Sequence, residues 1–184
     1  MNTTTKNKLS LDEQKLLNGL SSYLDIEFYY YGSIQRDDYI PGKSDIDVAI
    51  FSPNEKSILI KIQHYLHVEK DEFTRVLWKL KKNNVITYGY KLKYEKDNMH
   101  IEFAIYNEKS KEDIIEFQNS TINIPFYVRW LLSMLKFLYY QLNIISLPNY
   151  TYFKRIIFTY SKKHINGKDE QFIVLKNKYN TKNI

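Results

Sequence analysis

Apolar residues recur along the chain with two periods, and the switches between them mark out the elements. Leu16, Leu17, Leu20 and Leu24 fall at three- and four-residue spacing, which predicts an amphipathic helix over residues 11–24. Ser10 and Glu13 stand at its start with the spacing of a capping box, in which each side chain satisfies an open amide. The β-branched and aromatic run from Ile26 to Tyr31 predicts a strand ending at Gly32. Residues 33–44 form a polar loop containing the turn dipeptide Pro41-Gly42. Ile46, Val48 and Ile50 then alternate with Asp45, Asp47 and Ala49 as a second strand. Ser52-Pro53-Asn54 stops it, and Asn54 is placed to cap a helix running to about Tyr65.

Residues 73–81 satisfy both periods: Phe73, Val76, Leu77 and Leu80 fit a helix, while Val76, Trp78 and Leu80 fit a strand. Val85–Tyr94 and Met99–Tyr106 read as strands joined by residues 95–98, hence a hairpin. Ser110 and Asp113 open a short helix to about Phe117. Pro125 suits the first turn of a helix reaching about Leu142, and Pro148-Asn149 start another that ends near Lys163. Beyond Gly167 only Phe172–Leu175 is strand-like, and the last residues read as a loose end. The order of elements predicts an α/β (α+β) fold: a mixed β-sheet flanked by helices, followed by a C-terminal helical region. No internal repeat breaks this reading, and the expected division is a core over residues 1–118 and a helical region with a basic tail over 119–184.

Composition narrows the classes. Of the 184 residues, 43% are hydrophobic and 16% aromatic, enough for a core and against wholesale disorder. With no Cys, disulfide frameworks, thiolate zinc sites and Cys nucleophiles are excluded. The first residues lack an apolar signal core, and the greasy run Ile124–Leu147 carries Arg129 and Lys136, so the expectation is a cytoplasmic protein without a membrane span. Residues 154–184 hold eight basic side chains against Asp169 and Glu170, which is the whole net charge of +6. That asymmetry points to an anionic partner such as RNA, although a solvated lysine-rich tail has the same composition. A second basic strip, Lys79, Lys81, Lys82, Lys91, Lys93 and Lys96, precedes the acidic stretch from Glu108 to Glu116.

The residues with chemical content are Tyr31-Gly32-Ser33-Ile34-Gln35-Arg36 and Gly42-Lys43-Ser44-Asp45-Ile46-Asp47. Two residues apart on a strand, Asp45 and Asp47 project from one face. Carboxylates held that close repel unless a cation lies between them, and Mg2+ takes carboxylate oxygens while keeping positions for water and phosphate. A Gly-Ser turn lets backbone amides and a hydroxyl approach an anion. Together they describe a site for a magnesium-bound triphosphate.

This arrangement resembles the nucleotidyltransferase superfamily typified by polymerase β, with a Gly-Ser turn, a spacer, Asp-x-Asp on the next strand and a third acid on a later one. Glu102 in His100-Ile101-Glu102-Phe103-Ala104-Ile105 best matches the third acid. The resemblance covers residues 26–107 and, more loosely, the helices after 120. The full phrase, through the helix of residues 130–140, also resembles nucleotidyltransferase-like proteins of large DNA viruses, which would place the protein in host cytoplasm or virion. The sequence departs from the family in following Arg36 with Asp37 and Asp38, not Gly, and in carrying Glu as the third acid where RNA-tailing members use Asp.

The resemblance implies two-metal transfer of a nucleoside monophosphate from an NTP to a hydroxyl, with an RNA 3′ end slightly favoured by the basic tail. Asp45, Asp47 and Glu102 would be catalytic and would hold two Mg2+ ions, with Mn2+ an alternative. Gly32, Ser33 and Ser44 would grip phosphates, Lys136 would contact the triphosphate and Tyr150 would stack on the base. A small molecule or protein hydroxyl is the next acceptor, and a catalytically silent nucleotide- or RNA-binding component of a toxin–antitoxin kind is the rival class. Arg36 would meet either phosphate or a neighbouring Asp; Trp78, Trp130, Phe137 and Tyr140 read as packing; His64 and His67 lack a partner acid.

Overall fold

The computed structural model describes residues 1–79, 86–122, 124–166 and 171–175. Helix α1 (Leu11–Leu24) starts at its capping box: Ser10 Oγ accepts from the Glu13 amide at 3.2 Å, and Glu13 Oε2 accepts from the Ser10 amide at 2.7 Å. Strand β1 (Tyr29–Tyr31) is shorter than the apolar run predicts. Ile26 is bound back onto the end of α1, its amide donating to Ser21 O and its carbonyl accepting from Ser21 Oγ, so it is lost to the sheet. Strand β2 (Ile46–Ser52) and helix α2 (Glu55–Leu66) follow, and Asn54 caps α2 through the Ser57 amide at 3.2 Å.

Of the ambiguous stretch, Thr74–Lys79 is a strand, β3, since β4 (Ile86–Lys96) pairs along its whole length, and residues 80 and 81 lie outside the described residues. Between β4 and β5 (Met99–Asn107) the turn is tighter than expected: Asp97 and Asn98 take φ of 51° and 63°, the two left-handed residues of a two-residue hairpin. Helices α3 (Lys111–Ile122), α4 (Phe126–Tyr140) and α5 (Leu147–Asn166) come next. Pro125 precedes α4 as its cap, and α3 runs further than the sequence pattern indicates. Strand β6 (Gln171–Leu175) returns to pair with β3, so the C-terminal region also contributes to the sheet. Val85, Lys81, Lys82, Gly167 and the tail residues Lys168, Asp169, Glu170, Lys176, Lys178 and Lys182 lie outside the described residues.

The six strands run in the order β1-β2-β5-β4-β3-β6, with β2 and β5 parallel and the other pairs antiparallel. Alternation divides the strands into two faces. Ile46, Val48, Ile50, Ile101, Phe103, Ile105 and Leu92 point to one face and pack with Leu17, Leu20 and Leu24 of α1 and Ile58, Ile62 and Leu66 of α2. Each such fully buried side chain contributes about 1.5–3 kcal/mol relative to exposure. Tyr31, Ala49, Phe51, Ala104 and Tyr106 point the other way and pack with Ile114 of α3. This is an α+β fold, a mixed sheet flanked by helices. Among the described residues no helix is long and apolar enough to cross a membrane.

Helix α4 departs from expectation on its outer side. Val128 and Leu132 face Ile157 and Phe158 of α5. Trp130 and Phe137, expected in the interior, are 64% and 51% exposed, because α5 covers only the opposite stripe. Trp78 does pack, tilted against Phe117 with centroids 4.9 Å apart.

Candidate active site

The turn after β1 sets the geometry. Gly32 has φ of +69°, a conformation that side chains rarely adopt, and opens a single 3-10 turn, Gly32–Gln35, closed by the Arg36 amide on Ser33 O at 2.9 Å. The glycine has a second reason. A Cβ there would lie 1.9 Å from Asp47 Oδ2, so the carboxylate of β2 sits directly over the turn. Asp47 pairs with Tyr31 on one side and with Glu102 on the other, which sets Tyr31, Asp47 and Glu102 in a row across three strands on one face.

Charge in that row is crowded. Burial first, then the Glu102 carboxylate, pushes the Asp47 carboxyl up to about 7, against the opposing pull of Lys91 and Lys154. Glu102, whose side chain is 14% exposed, is ion-paired with Lys91 of β4. The Tyr31 hydroxyl is buried without a hydrogen-bond partner among the described residues; burial and the nearby Tyr106, Asp47 and Glu102 push its ionisation well above the ordinary range. Asp45 stands exposed just before β2, and its charge reaches Asp47, Tyr39, Tyr140 and Tyr150. Among the described residues no three Asp, Glu or His side chains surround a common point suited to an ion. Asp45, Asp47 and Glu102 are the groups that could hold one.

The loop between the turn and β2 is fastened. Asp38 is buried and accepts from Arg36 Nε at 2.7 Å and Nη2 at 3.1 Å. Lys136, 4% exposed, donates to Asp38 O at 2.6 Å and to Ser44 Oγ at 3.1 Å, and pairs with Asp38 Oδ2 at 3.1 Å. Desolvation raises the Asp38 carboxyl, but the hydrogen bond and charge of Arg36, then Lys136, outweigh it and hold the group below its ordinary value. Arg36 therefore meets Asp38, while Arg129 reaches Asp37 at 3.0 Å. Ser44 Oγ also accepts from the Ile40 amide at 3.1 Å.

The sequence-predicted residues thus separate. Gly32, Asp47 and Glu102 come together, with half-buried Ser33 in the same turn and Asp45 at the rim. The three ammonium protons of Lys136 match the three oxygens around it, all within the loop, so it binds protein where phosphate was expected. Tyr150 is 8% exposed and stacks on Tyr139 at 4.5 Å, with Lys154 Nζ 5.9 Å from its ring, so one face is taken by protein. Three residues beside the acids were given no place there by the sequence: Tyr31, Lys91 and Lys154. The residue before the Gly-Ser turn and the alternation of Lys91 with Leu92 on β4 were signals for the first two. Lys154 had none, because α5 is brought to Asp47 only by tertiary packing.

Three comparisons bear on this geometry. A family model described as nucleotidyltransferase domain matches residues 13–122. Among solved structures, the conserved protein GrpB from Enterococcus faecalis superimposes with a TM-score of 0.50 at 14% identity, over 88% of this chain and 98% of that one. A chain of the GLD-2/RNP-8 complex gives 0.38 at 18% identity over 79% and 52%, and Cid1 poly(U) polymerase gives 0.35 at 12% over 72% and 42%. No curated protein matches the chain in sequence.

Proposed function

We propose, on the premise that this chain belongs to the nucleotidyltransferase domain family, that it is a divalent-metal-dependent enzyme moving a nucleoside monophosphate from an NTP to a hydroxyl. The observation that carries this reading is the row Tyr31, Asp47, Glu102 laid against the Gly32 turn. Two carboxylates are adjacent there, the Asp47 carboxyl is pushed up by burial and by Glu102, and the Tyr31 hydroxyl, without a hydrogen-bond partner among the described residues, is buried beside them, which fits a hydrated Mg2+ or Mn2+. Such ions, when bound, stabilise charge on the attacking and leaving oxygens of an in-line displacement.

The chain's own residues would divide the remaining work. Asp45 and Asp47 would provide carboxylate oxygens as ligands, and Glu102 the third acid and the acceptor for the hydroxyl proton. The Gly32-Ser33 turn would present its amide and hydroxyl to the β- and γ-phosphates, with Lys154 the cation on the far side of the cleft. The acceptor oxygen bonds to the α-phosphorus, the bond from that phosphorus to the bridging oxygen breaks, and pyrophosphate leaves. Ser44 and Lys136 would serve indirectly, by fixing the loop that precedes Asp45, and Tyr150 would offer the base at most its unstacked side. In this reading residues 1–118 are the catalytic core and 119–184 close one side of the cleft. An RNA 3′ end is the favoured acceptor, on the basic character of residues 154–184.

The test is incubation with each labelled NTP, Mg2+ and pooled RNA. Pyrophosphate should be released, and Asp47→Asn should lower the rate at least about 100-fold, more than loss of an outer-shell group costs. No release with any nucleotide would reject the enzyme. One observation favours a second reading, a silent nucleotide- or RNA-binding protein: Lys91 already neutralises Glu102. That reading predicts nucleotide binding without turnover, unaffected by Asp47→Asn.

A further inference from the structure

Lys91 lies diagonally across the β4–β5 pair from Glu102: its direct neighbour is Ala104, and Lys93 is the residue opposite Glu102. Ala49, Ala104 and Lys91 form the row next to Asp47 and Glu102. The two alanines present only methyl groups, which leaves height for a four-carbon stem to lean across toward the acids. The Lys91 side chain is 21% exposed and reaches the Glu102 carboxylate, and its charge is felt at Asp47 as well. An exposed diagonal cross-strand pair contributes little and needs no functional account. This one differs in place: it ends on the third acid of the site, half-buried, where a cation is called for.

We propose that the Lys91 ammonium is a built-in substitute for one of the two divalent ions, so that the site takes a single ion, held by Asp45 and Asp47. The inference rests on the metal-dependent reading above and refines its stoichiometry. With an ammonium already at Glu102 and Lys154 acting on Asp47 from the other side, the charge left on the acids calls for no more than one divalent ion. A second divalent ion at Glu102 would have to displace the Lys91 ammonium from that carboxylate in a half-buried position, an unfavourable exchange. The same arrangement explains why the three acids do not surround one point: Glu102 is turned to Lys91.

The experiment counts ions without turnover. Mn2+ alone is titrated into the full-length chain and free Mn2+ is read by electron paramagnetic resonance, with ions that still bind Asp47→Asn subtracted as surface binding. The wild-type chain should hold one ion, Lys91→Arg one, and Lys91→Gln two, the second at least 10-fold tighter than any second binding in the wild type. Circular dichroism and the urea midpoint establish that each variant is folded. Two ions of similar affinity in the wild type would overturn the inference and leave the metal-dependent reading standing, and this result needs no variant. One ion in a folded Lys91→Gln would overturn it too. No specific ion in any form would overturn both readings together.

Discussion

At the scale of single residues, the site is built on one close approach. The Asp47 carboxylate occupies the volume that a side chain at position 32 would fill, so glycine is required there by space and by φ alike. Holding that carboxylate against Glu102 has a cost that pH exposes. The Asp47 carboxyl is raised to about 7 by burial and by Glu102, whereas an unfolded Asp titrates near about 3.9. A folded-state pKa above the unfolded one means stability that is full below about pH 4 and lost as pH rises to about 7. In a chelator, the urea midpoint should therefore fall between pH 5 and pH 8, by a few kcal/mol of stability. Mn2+ should restore much of it at pH 8, because the ion binds the ionised acids. A flat midpoint across this range would show that Asp47 is not held under such strain.

At the scale of elements, local patterns were legible and distant pairings were not. The capping box of α1, the alternation in β2 and the position of Glu102 on β5 each depend on neighbours a few residues away. The fate of residues 74–79 depended on two partner strands, and the shortening of β1 on Ser21. Lys136 is the clearest case: in sequence it is a cation in a greasy helix, but it is committed to Asp38, 98 residues away. Removing it leaves Asp38 buried with Arg36 as its remaining charge partner, so Lys136→Met should destabilise by about 3 kcal/mol. Combined with Asp38→Asn, the loss should fall short of the sum of the single losses by at least about 1 kcal/mol. Urea unfolding of the four proteins measures this directly, and strict additivity would dissolve the network. The same buried contacts explain why the spacing of Gly32, Asp45 and Asp47 could be read while the partners of Ser44, Lys136 and Tyr150 could not.

At the scale of the whole molecule, charge and acceptor are linked. The net charge of +6 is confined to residues 154–184. If RNA is the acceptor, its binding should weaken with salt at about −0.7 in log K per log salt for each phosphate contacted. Replacing Lys162, Lys163, Lys168 and Lys176 by Gln should flatten that slope in filter binding at 50–200 mM salt. A small-molecule acceptor would leave the dependence near zero in both proteins.

The fastened loop has a mechanical consequence. One end of it is tied to the N-terminal segment, where Lys6 meets Asp37 and Asn7 Nδ2 donates to Ile34 O and Arg36 O. Both ends are tied to α4: Arg129 holds Asp37, Lys136 holds Asp38 and Ser44, and Lys43 Nζ donates to Tyr140 O. Any displacement of α4 is thereby transmitted to the strip of backbone leading into Asp45, so the place of the helix and that of the leading carboxylate are set together, like the two arms of a crank.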